Sequence, residues 1–171
     1  MQADRAAVIT VSDRCARGDA EDRSGPLLTE LLAEEGIDDV VALTVPDGVE
    51  SVRDAIRRGL ALDARLVLTT GGTGVTPRDL TPEGTRELLE AELPGVAEAI
   101  RARGASAGIA TAVISRGLVG VARMPDGARR ALVVNLPGST GGVRDGAAVV
   151  LPLWPHIRDQ LDGGDHVRPG Q

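Results

Sequence analysis

Short apolar runs recur along the chain, each closed by a polar or glycine-rich turn and followed by a stretch of helical periodicity. Residues 6–11 read as a buried strand that ends at Ser12-Asp13-Arg14. A polar loop follows, and Ser24-Gly25-Pro26 marks a helix start with Ser24 as the expected N-cap. Leu27, Leu28, Leu31 and Leu32 form the stripe of that helix and Gly36 its end. Residues 40–45 are a second strand, broken by Pro46-Asp47-Gly48, and Val49, Val52, Ile56 and Leu60 share one face of the next helix. A third strand, 65–69, runs into Thr70-Gly71-Gly72-Thr73-Gly74. Thr81 is expected to cap a helix that opens on Pro82 and continues to about residue 92, with Pro94 opening another. Residues 109–114 read as a fourth strand ending in Ser115-Arg116-Gly117. Residues 118–123 and 131–134 flank Pro125-Asp126-Gly127 as a hairpin. A last helix is expected over about 141–161, kinked or divided at Pro152 and Pro155, with 163–171 as a flexible tail.

This alternation predicts one α/β domain with a mostly parallel sheet plus one antiparallel hairpin. A length of 171 residues suits a single core. The net charge of −6 disfavours nucleic acid as a partner, since phosphate backbones bind basic surfaces. No stretch approaches the roughly 20 apolar residues of a membrane span, so a cytoplasmic location is expected. Cys15 is the single cysteine, and His156 and His166 are the two histidines, which argues against a multi-cysteine zinc site or a histidine-rich centre. All 19 basic residues are arginine. Without lysine there is no Schiff base, no lysyl-adenylate and no lysine-containing phosphate loop. Phosphate chemistry here must rest on backbone amides, arginine, hydroxyls and a metal.

In an open α/β sheet, ligands bind beyond the carboxyl ends of the strands, where five polar turns of this chain are expected to converge. Gly71, Gly72, Thr73 and Gly74 form the sharpest local feature: glycines turn amides inward as an anion nest, and Thr73 adds a donor. A tight strand-to-helix turn accounts for the same tetrapeptide. Asp79 lies just beyond; a carboxylate beside bound phosphate is useful where magnesium bridges the two, and a helix cap near Pro82 is the alternative. Asp47 has the same two readings, metal ligand or turn former, and Asp13 those of ligand contact or loop cap. Arg116 is a candidate phosphate partner or a solvated loop arginine, and Ser139 a phosphate donor or an N-cap. Cys15 has no histidine nearby in sequence to activate it.

Seven ordered segments resemble the Mog/MoaB family of molybdenum cofactor biosynthesis proteins. They are Val11-Ser12-Asp13, Asp22-Arg23-Ser24-Gly25-Pro26, Val45-Pro46-Asp47, Thr70-Gly71-Gly72-Thr73-Gly74, Pro77-Arg78-Asp79-Leu80-Thr81-Pro82-Glu83, Ser115-Arg116-Gly117 and Leu136-Pro137-Gly138-Ser139. The resemblance spans about residues 6–161 and implies a three-layer αβα fold and a homotrimer. It implies magnesium-dependent transfer of AMP from ATP to molybdopterin, with hand-over to a molybdate-insertion protein. It places the two key carboxylates, catalytic and metal-holding, at Asp47 and Asp79. It places substrate binding at Ser12, Asp13, the 71–74 loop, Ser115, Arg116, Pro137, Gly138 and Ser139. Gly48 departs from the acidic residue that many of the family's adenylyltransferases carry there. A non-catalytic molybdopterin-binding protein is the alternative the resemblance leaves open. Molybdate-insertion proteins carry further domains, for which 171 residues leave no room. A dinucleotide-dependent oxidoreductase is disfavoured, because no G-x-G-x-x-G follows the first strand.

Overall fold

The computed structural model describes residues 4–164. Six strands form one sheet in the order β2-β1-β3-β6-β5-β4. The strands β1 (Arg5–Val11), β2 (Asp39–Val45), β3 (Leu66–Thr70) and β6 (Arg130–Leu136) are parallel. The strand β5 (Val119–Arg123) returns antiparallel to β6, and β4 (Leu89–Glu92) pairs antiparallel with β5 at the edge. The helices are α1 (Asp13–Ala16), α2 (Ser24–Glu34), α3 (Val49–Ala61), α4 (Thr81–Arg86), α5 (Pro94–Ser106) and α6 (Thr140–Leu161).

Side chains alternate across a strand, so a strand buried on both faces is apolar in a near-continuous run. Ala6, Val8, Leu66, Leu68, Leu132 and Val134 pack on one face against α2, α5 and α6. Ala7, Ile9, Val67, Ala131 and Val133 pack on the other against Val52, Ile56 and Leu60 of α3. The result is the expected three-layer αβα arrangement, with every parallel strand delivering its carboxyl end to the same side of the sheet.

Four local expectations are corrected. Residues 109–114 are not a strand: Ala110–Ile114 is a 3-10 turn whose residues are not buried, and Val113 and Ile114 stay exposed. A six-residue apolar run does not by itself distinguish a strand from such a turn. The helix at Thr81 stops at Arg86 rather than near 92, because Leu89–Glu92 is recruited as an edge strand by β5. Thr81 and Ser24 are first helical residues rather than caps, and the Asp22 carboxylate instead accepts from the amides of Ser24 and Gly25 at 3.1 and 3.0 Å. Finally, α6 is not divided at Pro152 and Pro155. Both prolines face solvent, while Val143, Ala147, Val150, Leu151 and Trp154 bury the opposite face. Burial of five apolar side chains outweighs the roughly 3 kcal/mol that each of the two interior prolines costs. Gly163 and Gly164 close the helix end through bonds to the carbonyls of Gln160 and Asp159; the rest of the expected tail, 165–171, lies outside the described residues.

One buried polar group ties the sheet to the site. The Asn135 amide on β6 donates to the hydroxyls of Thr69 and Thr85, both at 3.0 Å, and its oxygen accepts from the Leu118 amide at 3.1 Å. Asn135→Leu keeps the volume but leaves the buried Leu118 amide and Thr69 hydroxyl without their partner, while the Thr85 hydroxyl keeps its bond to the Thr81 carbonyl. It is expected to lower stability by about 2–4 kcal/mol, measured as the shift in urea-unfolding midpoint.

Candidate functional site

The glycine loop is built by close approach. After β3, Gly71 takes φ +104° and Gly72 φ +64°. A Cβ on Gly71 would lie 2.3 Å from the Val11 carbonyl, and one on Gly72 would lie 2.3 Å from the Thr81 hydroxyl. Only glycine allows both the backbone angles and the contacts. Thr81 is fully buried, and its hydroxyl donates to the Gly71 carbonyl at 2.9 Å, so the start of α4 fixes the loop from below. Gly138 meets the other side: its Cβ would be 3.2 Å from Gly71 Cα.

The two carboxylates flank this loop. Asp47 Oδ2 accepts from the Asp13 amide at 2.9 Å, and Asp13 Oδ1 accepts from the Asp47 amide at 3.1 Å. This reciprocal pair locks the turns after β1 and β2 together and aims Asp47 Oδ1 at Gly72, 3.4 Å from where a Cβ would stand. Asp79 Oδ2 lies 2.8 Å from the corresponding point on Gly74 and accepts from the Thr76 amide at 2.9 Å. Asp79 thus closes the 76–79 turn, while the α4 N-terminus has no side-chain cap. Among the described residues, no three histidine, cysteine or acidic side chains gather as a metal cage. Magnesium does not require one: it is commonly held by one or two carboxylates together with substrate phosphates and water. Two hard oxygen donors flanking the glycine loop fit that mode.

A cavity of about 440 Å³ opens beside the loop, lined by Thr73, Gly74, Ser115, Pro137 and Ser139 from the expected set. Thr73 and Ser115 place their hydroxyl oxygens 3.3 Å apart. Ser139 caps α6, accepting from the Gly142 amide at 3.1 Å. A second cavity, about 470 Å³, lies across the Gly138-Ser139 turn and takes in Ser12, Cys15, Asp22 and Thr70. Ser12 also caps α1 through the Cys15 amide.

Arg116 is engaged by protein groups on several sides and keeps 37% of its side chain exposed. Its guanidinium donates to the carbonyls of Gly74 and Asp79 and to the Glu83 carboxylate, and its amide donates to the Thr73 carbonyl. One side chain therefore staples the glycine loop, the Asp79 turn and α4. The hydrogen bond from Arg116 holds the Glu83 carboxyl below the usual glutamate range. A depressed folded-state value stabilises the protein above the unfolded-state value, and that contribution is lost as pH falls through the depressed one. Arg116→Ala is therefore expected to move the Glu83 titration, followed by NMR, up toward the ordinary range, and to loosen exchange protection at the Asp79 amide, which donates to the Thr76 carbonyl.

The sequence reading missed Asp22 as the α2 cap, and it missed Arg101, Thr111 and Asp145, which line the first cavity. These residues sit on α5, the 3-10 turn and α6, and no local motif marks them. The misread 109–114 run, an apolar segment without a sheet partner, was the available signal.

Similarity to known proteins bears on this geometry. The sequence model described as "Probable molybdopterin binding domain" matches residues 7–156. The chain is 40% identical over 161 residues to the molybdenum cofactor biosynthesis bifunctional protein of Synechococcus elongatus, covering 94% of this chain but 48% of that one, so it spans about half of that relative. It is 41% identical over 151 residues to the molybdopterin adenylyltransferase of Pyrococcus furiosus, covering 88% and 86%. A crystal structure of a molybdopterin biosynthesis protein from Mycobacterium abscessus superposes with a TM-score of 0.84 at 44% identity, covering 94% and 98%. With the family match running from β1 into α6 and the fold shared throughout, the chain belongs to the Mog/MoaB family of molybdopterin-binding domains.

Proposed function

We propose that this chain is a molybdopterin adenylyltransferase of molybdenum cofactor biosynthesis, transferring AMP from ATP to molybdopterin. The observation that carries the reading is the glycine loop, held open by close backbone approach, flanked by Asp47 and Asp79 and opening onto a cavity rimmed by Thr73, Ser115 and Ser139. The name carried by the Pyrococcus relative supports it. A phosphate oxygen of molybdopterin attacks the α-phosphorus of ATP; that P–O bond forms as the bond to the β-phosphate oxygen breaks, and pyrophosphate leaves with the electron pair. Both reactants are anionic, so the protein's work is positioning and charge neutralisation. The loop amides and the three hydroxyls hold the attacking phosphate, and the start of α6 adds its positive end. Asp47 and Asp79 would hold Mg²⁺, which when bound supplies charge for the triphosphate. No protein nucleophile is needed, which suits a chain without lysine.

The test incubates the purified chain with molybdopterin, ATP and magnesium, and detects adenylyl-molybdopterin and pyrophosphate. A second reading, a non-catalytic molybdopterin-binding protein, draws on Gly48, which stands where the resemblance implies an acidic side chain in many of the adenylyltransferases and adopts φ +139°, an angle that such a residue rarely takes. Molybdopterin binding without pyrophosphate release decides for that reading. The proposal extends to a cytoplasmic homotrimer that passes its product to a molybdate-insertion protein. Exposed Val75, Val113 and Leu153 offer apolar surface for self-association, and light scattering should give about three times 17.6 kDa. Among the described residues, no helix is long and apolar enough to cross a membrane.

A further inference from the structure

The cavity beside the glycine loop is chemically polarised along its length. One end carries the Thr73, Ser115 and Ser139 hydroxyls. Arg101 reaches the same end from α5, donating to the carbonyls of Ser115 and Gly117 at 3.3 and 3.4 Å. These groups suit an anion. Asp145 lines the same cavity six residues after Ser139, about 9 Å further along α6 at the helical rise. Across from it, α5 carries Gly104. A Cβ there would stand 2.7 Å from Ala112 Cβ and 3.7 Å from Asp145 Oδ2, so the glycine lets α5 close on the 3-10 turn without covering the carboxylate. The Asp145 side chain is 19% exposed. Its ion-pair partner among the described residues, the half-exposed Arg103, holds Nε 3.6 Å from Oδ1, beyond hydrogen-bond reach. The neighbouring walls are Ile100, Ile109 and Ile114. Among the described residues no hydrogen bond reaches the Asp145 carboxylate, so its oxygens are available to an incoming donor.

We propose that Asp145 reads the pyrimidine edge of the pterin, a role that rests on molybdopterin being the substrate. A 2-amino-4-oxo pterin presents two adjacent N–H donors, at N3 and on the 2-amino group. The two oxygens of one carboxylate accept both as a bidentate pair. The isoleucines offer apolar faces to the flat ring. A pterin with a phosphate arm carries its donors and its anion at opposite ends, matching the polarity of the cavity. The chemistry also sets specificity: a 2,4-dioxo pteridine puts a carbonyl where the amino group was and turns its lone pairs toward the carboxylate.

Fluorescence titration tests the assignment with two stable probes, a pterin bearing a phosphomethyl group and its 2,4-dioxo counterpart. The unmodified protein is expected to prefer the pterin by at least about tenfold, which needs no variant and so no assumption about folding. Asp145→Asn is expected to weaken pterin binding by about 10–100-fold and to change the 2,4-dioxo probe by less than about threefold. Equal affinity of the unmodified protein for both probes, or unchanged pterin affinity in the Asn variant, overturns the assignment and leaves molybdopterin as substrate untouched. Failure of the unmodified protein to bind either probe overturns the assignment, and absence of adenylyl-molybdopterin in the turnover assay separately overturns the reading beneath it.

Discussion

Asp79→Ala should reduce formation of adenylyl-molybdopterin by about 10²–10³-fold while leaving the fold intact. The magnitude is that of removing one charge-stabilising group from a phosphoryl- or acyl-transfer site, about 3–4 kcal/mol. The fold should tolerate the change because the one hydrogen bond lost to the carboxylate comes from the Thr76 amide, and Thr76 is exposed, so water replaces it. Stability is expected to move by no more than about 0.5 kcal/mol, in the range of surface substitutions. Asp79→Asn separates charge from positioning. Its amide oxygen can still accept from Thr76, so the turn persists, yet the negative charge is gone. If the Asn variant loses as much as the Ala variant, the charge beside Gly74 is what the reaction requires; if it turns over like the parent, Asp79 only shapes the turn. Rates of pyrophosphate release, with circular dichroism of each variant, decide between them.

The second large effect is on stability. Gly71→Ala is expected to cost about 3–5 kcal/mol. Two contributions combine: roughly 1–3 kcal/mol for an L side chain held at φ +104°, and a similar cost for a Cβ placed 2.3 Å from the Val11 carbonyl, which is backbone and cannot swing aside. Gly36→Ala is the matched control. It has φ +78° and nothing within 4 Å of an added Cβ, so it carries the strain without the clash and should cost about 1 kcal/mol. Urea unfolding of both variants gives the difference. If the two costs prove equal, the loop does not depend on its contact with β1. If they differ as expected, the variant should also lose phosphate-site function, because the same approach sets the loop amides.

Much of this architecture was legible along the chain, for reasons that concern local physics. A parallel strand buried on both faces favours apolar residues at consecutive positions, and residues 6–9 and 66–68 show that directly. The stripe of Val52, Ile56 and Leu60 has the helical period because one face of α3 meets the sheet. The glycine loop was visible because φ above zero demands glycine, whichever ligand the loop serves. The polar turns could be placed at one edge of the sheet because parallel strands present their carboxyl ends together.

What the chain alone left open depended on partners far away in sequence. Leu89–Glu92 became a strand because β5 was there to pair with it, and Ala110–Ile114 became a 3-10 turn because no strand was. Asp47 is tied to Asp13, which lies 34 residues earlier and exchanges two hydrogen bonds with it, a contact that neither turn announces locally. Arg116 looked like a free cation until Glu83 and two carbonyls closed around it. The cavity residues Arg101 and Asp145 carry no local signature at all, since a cavity is a property of several elements packed together. Sequence periodicity and backbone chemistry therefore determined which segments form elements and where the turns lie. Tertiary packing alone decided which side chains those turns bring together, because a contact between distant residues has an energy only once the fold has closed the chain between them.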